Sequence, residues 1–163
     1  MVTIQTSMGD IVISLHHKET PNTVKNFLDY VESGHYENTI FHRVINNFMI
    51  QGGGFDINFD LKKTKGSIIN EADKAKENAI GTIAMARTQD PHSATCQFFI
   101  NTNDNAFLNY QAKNNAEWGY CVFGEVTEGM EVVRKISEVI TSSENGHQDV
   151  PKTRIMIKKI IIN

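Results

Sequence analysis

Apolar and polar positions alternate from the first residues. Val2 and Ile4 alternate with Thr3 and Gln5, and Ile11, Ile13 and Leu15 alternate with Val12 and Ser14. Two such runs around the turn chemistry of Met8-Gly9-Asp10 predict a β-hairpin. The period then changes. Val24, Phe27, Leu28 and Val31 fall at i, i+3, i+4 and i+7, one apolar stripe on a helix. Thr20 is placed to cap that helix. Pro21 suits its first position, where the missing N–H costs nothing, and Gly34 suits its end.

From Thr39 to Ile50 the chain is dense in β-branched and aromatic residues, which predicts strand interrupted at Asn46-Asn47 and broken by Gly52-Gly53-Gly54. Residues 55 to 80 are polar and irregular. Strand-like runs return at Thr82 to Ala86, Gln97 to Asn101 and Tyr120 to Val126. Met130 to Ile140 fits a second amphipathic helix, with Val132, Val133, Ile136 and Ile140 on one side. The run Arg154 to Ile162 is β-rich, and Lys158-Lys159 breaks its alternation as a bulge would. About eight short strands, two helices and no βαβ rhythm predict a mostly antiparallel sheet. Closing it into a barrel would remove exposed edges. No repeat and no linker divide residues 1–163, so one domain is expected. With no heptads, a monomer is the default.

Composition changes this picture little. Hydrophobic residues make up 40% of the 163 and charged residues 21%, which describes an ordinary globular chain and not a disordered one. Sixteen Lys+Arg against nineteen Asp+Glu leave a net charge of −3, so no nucleic-acid-binding field is expected. The opening MVTIQTSMGDIVISL has no basic region, long apolar run or cleavage site, so neither export nor membrane insertion is expected. Two cysteines, Cys96 and Cys121, are too few for a disulfide framework, and together these features point to a cytoplasmic setting.

Familiar catalytic templates do not fit. QGGGF at 51 to 55 lacks the Lys-Ser/Thr of a phosphate loop and reads as a turn or bulge that needs positive φ. Cys96 with His92 four positions away could be a thiol nucleophile, against the plainer reading of a buried small residue. The six histidines are scattered, with His16-His17 read as solvated, and no metal or cofactor is assigned. Arg43 is different. It stands alone in an apolar run, with Phe41 and Ile45 as alternate neighbours, and is costly to bury unless it meets a partner or a cleft. Spacing alone leaves that reading level with an exposed arginine on a strand face. A barrel could set Phe48, Met49 and Gln51 beside Gln97, Phe98, Phe99 and Asn101, an apolar floor rimmed by amides and one guanidinium.

The segments FHRVINNFMIQGGGF, GTIAMART, SATCQFFIN and YCVFGEVTEGMEVV resemble the cyclophilin family of peptidyl-prolyl cis-trans isomerases. The match runs over the whole chain and is most similar to the small bacterial cytoplasmic members. The resemblance implies a closed eight-stranded antiparallel β-barrel capped by two α-helices, with a substrate groove on the barrel's outside. It implies catalysis of cis-trans isomerisation at X–Pro bonds without a covalent intermediate, in proline-containing peptides and in unfolded or folding proteins. Arg43 matches the catalytic arginine. Phe48, Met49 and Gln51 match groove positions, and Ala86 belongs to a dipeptide that contacts substrate backbone. Arg87 stands where many relatives have asparagine. Gln97 and Phe99 match the ends of the QFF motif, with Phe99 under the proline ring.

Two places depart from many eukaryotic members. Phe107, followed by Leu108, stands eight residues after Phe99, where those members have tryptophan; Trp118 is nineteen after and is not its counterpart. Tyr120 stands where a histidine often precedes the next strand. Phenylalanine lacks the indole donor, so weak cyclosporin binding is expected. A module that grips proline segments with little catalysis is the alternative reading.

Overall fold

The computed structural model describes residues 1–163. Its strands are β1 (Val2–Thr6), β2 (Gly9–Leu15), β3 (Thr39–Ile45), β4 (Met49–Asp56), β5 (Thr82–Met85), β6 (Phe98–Asn101), β7 (Val122–Glu128), β8 (Thr141–Glu144), β9 (His147–Pro151) and β10 (Met156–Ile162). The helices are α1 (Pro21–Glu32) and α2 (Met130–Ser137). Eight strands close a barrel in the order β1-β10-β3-β4-β6-β5-β7-β2, and β8 and β9 form a separate hairpin. Neighbouring strands are antiparallel throughout. No helix is long and apolar enough to cross a membrane.

The register explains where the core lies. Val44, Ile50, Ile100 and Ile83 stand opposite one another across β3, β4, β6 and β5. All four are buried inside the barrel with Val2, Ile4, Ile11 and Ile13 of the first hairpin. Val24 and Phe27 of α1, and Val132, Val133 and Ile136 of α2, complete that cluster at the barrel ends. Because side chains alternate along a strand, the next row belongs to the outer face. It consists of Arg43, Gln51, Phe99 and Ala84.

Two bulges set this alternation. Phe41 pairs with Gly52 while Arg43 pairs with Gln51, so His42 is an extra residue on β3. Phe41 therefore points into the core while Arg43 points out; the two do not share a face as simple alternation predicts. On the facing strand the glycines do not break β4 but lie within it. Gly53 has φ of 91°, and a Cβ there would meet the Tyr36 ring at 2.9 Å. The anticipated bulge at Lys158-Lys159 is present: Gln5 pairs with Lys159 and Thr6 with Ile157.

Other local expectations are corrected. The Thr20 hydroxyl does not cap α1; it donates to the His16 carbonyl at 3.1 Å. The amide of Thr23, in the first turn of α1, donates instead to Glu71 Oε1 at 2.7 Å, and the Thr23 hydroxyl does the same. A carboxylate from a distant loop thus performs the capping, and its charge suits the helix dipole. His16 is buried, 3.2 Å from Glu125, while its neighbour His17 is exposed. The α2 helix stops at Ser137, short of Ile140. Glu138 and Val139 donate to Lys135 and Ile136, three residues back, which tightens the final turn, and Ile140 is 73% exposed. The strand expected from Tyr120 begins at Val122, because the Tyr120 amide bonds to the Leu108 carbonyl at 2.9 Å outside the ladder.

Candidate active site

A second apolar cluster sits on the outside of the barrel. Met49, Ala84, Phe99, Leu108 and Val122 are buried there, with Ile45, Phe48, Ala86 and Tyr120 packed around them. They floor a groove of about 590 Å³. Phe99, only 4% exposed, lies at its base. Tyr120 meets Phe99 edge-on at 5.8 Å, and Phe48 stacks on Phe107 at 5.7 Å to form a rim. Phe107 is 70% exposed, an aromatic face held open to solvent.

A polar edge borders this floor. Arg43 Nη1 donates to Gln51 Oε1 at 3.3 Å, and Gln51 Nε2 donates to Gln97 Oε1 at 3.0 Å. That chain fixes which way the Gln51 amide points. Gln97 lies directly over Gly54, where a Cβ would come within 2.4 Å of its amide nitrogen, so the glycine keeps room for the relay. The remaining N–H groups of Arg43 have no partner in the protein. Along the third edge, the Ala86 amide is taken by the Gln97 carbonyl at 3.0 Å. The Ala86 carbonyl and the Arg87 amide have no partner. They offer one acceptor and one donor to an extended chain.

All eleven sequence-predicted site residues line this one groove. Four further lining residues, His42, Phe55, Leu61 and His147, carried no signal in the sequence. His42 enters through the bulge, and His147 comes from the β8–β9 hairpin; their rings lie 6.0 Å apart. Burial, then the neighbouring His147 and Arg43, push the His42 imidazole down to about 4, so it is neutral at pH 7.

A buried asparagine network holds the groove walls and was also missed. Asn105 Nδ2 donates to the Phe48 carbonyl at 2.9 Å and to Asn101 Oδ1 at 2.8 Å. Asn101 donates to Asn78 at 3.1 Å, and Asn78 donates to the Tyr120 carbonyl at 3.1 Å and the Leu108 carbonyl at 3.3 Å. Three loops that carry groove residues are thereby tied to β6. The run Ile100-Asn101-Thr102-Asn103-Asp104-Asn105 was the available signal, but asparagine is equally common in solvated turns.

The thiols are unsuited to nucleophilic work. Cys96 is buried in the core, and burial raises its pKa. Cys121 is pushed up to about 12 by burial. His92 accepts the Asn70 amide on Nδ1 at 3.1 Å and packs edge-on against Trp118 at 4.5 Å. No three His, Cys, Asp or Glu side chains converge as metal ligands.

Comparison with known proteins agrees with this geometry. The family model for the cyclophilin type peptidyl-prolyl cis-trans isomerase/CLD matches residues 1–162. The chain is 56% identical over 163 residues to peptidyl-prolyl cis-trans isomerase B of Escherichia coli (strain K12), covering 100% of this chain and 99% of that one. It is 57% identical over 157 residues to peptidyl-prolyl cis-trans isomerase cyp18 of Streptomyces antibioticus, covering 96% and 95%. The crystal structure of a Cryptosporidium parvum cyclophilin in the presence of the dipeptide Ala-Pro superimposes with a TM-score of 0.78 at 28% identity, covering 99% and 98%. The chain belongs to the cyclophilin-type peptidyl-prolyl cis-trans isomerases, and it catalyses the cis-trans isomerisation of X–Pro peptide bonds.

Proposed function

We propose that residues 1–163 act as one monomeric isomerase domain in the cytoplasm, on proline-containing peptides and on unfolded or folding proteins, with Arg43 as the catalytic residue. The observation that carries this reading is the outer row Arg43, Gln51 and Phe99, which sets an incompletely bonded guanidinium beside a buried aromatic floor. The two unpaired, buried thiols fit a reducing compartment.

No covalent bond is made or broken. The barrier of about 18–20 kcal/mol is the amide resonance lost on twisting the C–N bond. In the twisted form the prolyl nitrogen becomes pyramidal and recovers a lone pair. A donor aimed at that lone pair favours the twisted form over both planar ones, which is the condition for catalysis. Arg43 is permanently charged with its donors in a rigid fork, and the dry floor strengthens its field. Phe48, Met49, Phe99, Phe107, Leu108 and Tyr120 hold the proline ring. Gln51, Gln97 and the free backbone groups of Ala86 and Arg87 hold the flanking peptide while one side turns.

Labelled protein titrated with an Ala-Pro peptide tests the groove. Chemical-shift changes should centre on Phe48, Gln51, Ala86, Phe99 and Tyr120, and peptide exchange cross-peaks should report faster isomerisation. Binding without faster exchange would favour the alternative, a module that holds proline segments. Cyclosporin should bind weakly, because Phe107 offers no N–H and the Trp118 indole already donates to the Asn70 carbonyl at 3.1 Å. A nanomolar dissociation constant by calorimetry would overturn that part.

A further inference from the structure

We infer that the Arg87 side chain is a positioning residue for the isomerase, setting the Tyr120 wall of the groove without itself touching substrate. This rests on the groove reading above.

The guanidinium of Arg87 uses three of its five N–H groups on backbone carbonyls of the protein. Its Nε and Nη2 both donate to the Gly119 carbonyl, at 3.1 and 2.9 Å, a fork closed on a single oxygen. Its Nη1 donates to the Thr88 carbonyl at 2.8 Å. Its flat face lies over the Tyr120 ring, 4.2 Å from the centroid. Three hydrogen bonds and one aromatic face fix the guanidinium against Tyr120. Tyr120 in turn stands edge-on to Phe99, so Arg87 fixes the wall whose orientation shapes the proline site.

The clamp also joins two segments, adding to the backbone hydrogen bond from the Met85 amide to the Cys121 carbonyl at 3.1 Å. Arg87 follows β5, on the edge that offers the Ala86 carbonyl and the Arg87 amide. Gly119 ends the long loop from Asn109 and carries a third donor, Asn70 Nδ2 at 3.0 Å, on the same carbonyl. Its φ of 75° and a blocked Cβ position, 2.6 Å from Asn109 C, hold that carbonyl toward Arg87. The substrate-backbone edge and the ring wall therefore move as one unit. A lysine cannot fork on Gly119 and stack on Tyr120 at once, because it has a point charge and no plane.

The test is a double-mutant cycle on KM, with thermal midpoints confirming that each variant folds. Arg87→Ala and Arg87→Lys should each raise KM about fivefold with kcat nearly unchanged, as loss of a half-buried cation–π contact predicts. In a Tyr120→Leu background, which itself raises KM, Arg87→Ala should add nothing. Multiplicative effects, or full activity in Arg87→Lys, would overturn the positioning role while leaving the groove intact. A Tyr120→Leu enzyme with unchanged KM would instead refute the groove reading beneath it. Peptides with Glu or Lys beside the X–Pro pair provide a second readout. Their KM ratio should be the same in wild type and Arg87→Ala, whereas direct charge contact would shift it.

Discussion

Replacing Arg43 by alanine separates catalysis from stability. Within the fold, Arg43 makes one side-chain hydrogen bond, a long one of 3.3 Å to Gln51, and no ion pair. A net hydrogen bond contributes about 1 kcal/mol, and one this long contributes about half that. For a domain of this size that corresponds to a fall of about 2 °C in Tm. The transition state loses more. A hydrogen bond to a charged donor is worth about 2–3 kcal/mol, which converts to a loss of about 30- to 150-fold in kcat/KM. Gln51 would also lose the partner that orients it, which pushes the activity loss toward the upper end. Exchange spectroscopy on an X–Pro peptide measures the rate directly, and a thermal scan of the same sample measures the fold. Arg43→Lys should recover part of the rate, since charge returns without the fork. A folded Arg43→Ala enzyme with wild-type kcat/KM would refute the assignment of Arg43 and the lone-pair mechanism with it.

Stability should fall as the solution is acidified from about pH 6.5 to pH 4. The unfolded chain takes up a proton at His42 over that window while the folded chain, with His42 held at about 4, does not; the loss approaches 3 kcal/mol at its limit, and a His42→Gln variant should show a shallower slope in denaturant titrations. His35 is also lowered by burial and adds in the same direction. Glu71→Gln should destabilise the protein by about 1–2 kcal/mol, because the first turn of α1 then loses a charged acceptor, whereas Thr20→Val should cost less than Glu71→Gln. Equal effects in chemical denaturation would contradict the capping role given to Glu71.

Most of the barrel was legible because its strands are half-buried and obey a period of two. Val2, Ile4, Ile11 and Ile13 announce the first hairpin, and all are buried. The β8–β9 hairpin was not legible. Its sequence is short and polar with four of its first-strand positions at least partly exposed, and only Asn145-Gly146, with φ of 54° and 79°, marks the turn. His147 was lost to the groove for the same reason. The cap of α1 was illegible for another cause. Glu71 lies 48 residues from Thr23, and no local pattern reports a contact of that range.

Arg43 shows how bulge and function are connected. In an unbulged strand Phe41, Arg43 and Ile45 would share one face, so either Phe41 would leave the core or Arg43 would enter it. Neither is tolerable: the first exposes a large aromatic side chain, and the second buries a charge without a partner. The extra residue at His42 resolves the conflict by turning Phe41 inward and both His42 and Arg43 toward the groove. The facing strand must then follow a bent partner, which is why it carries three consecutive glycines, one of them in left-handed backbone. The same glycines leave space over Gly54 for Gln97 and hence for the relay that orients Gln51. A sequence scan sees an odd arginine and a glycine run as separate irregularities. In three dimensions they are two sides of one β3–β4 distortion, and that distortion sets a cation beside an apolar floor on the outside of a closed barrel.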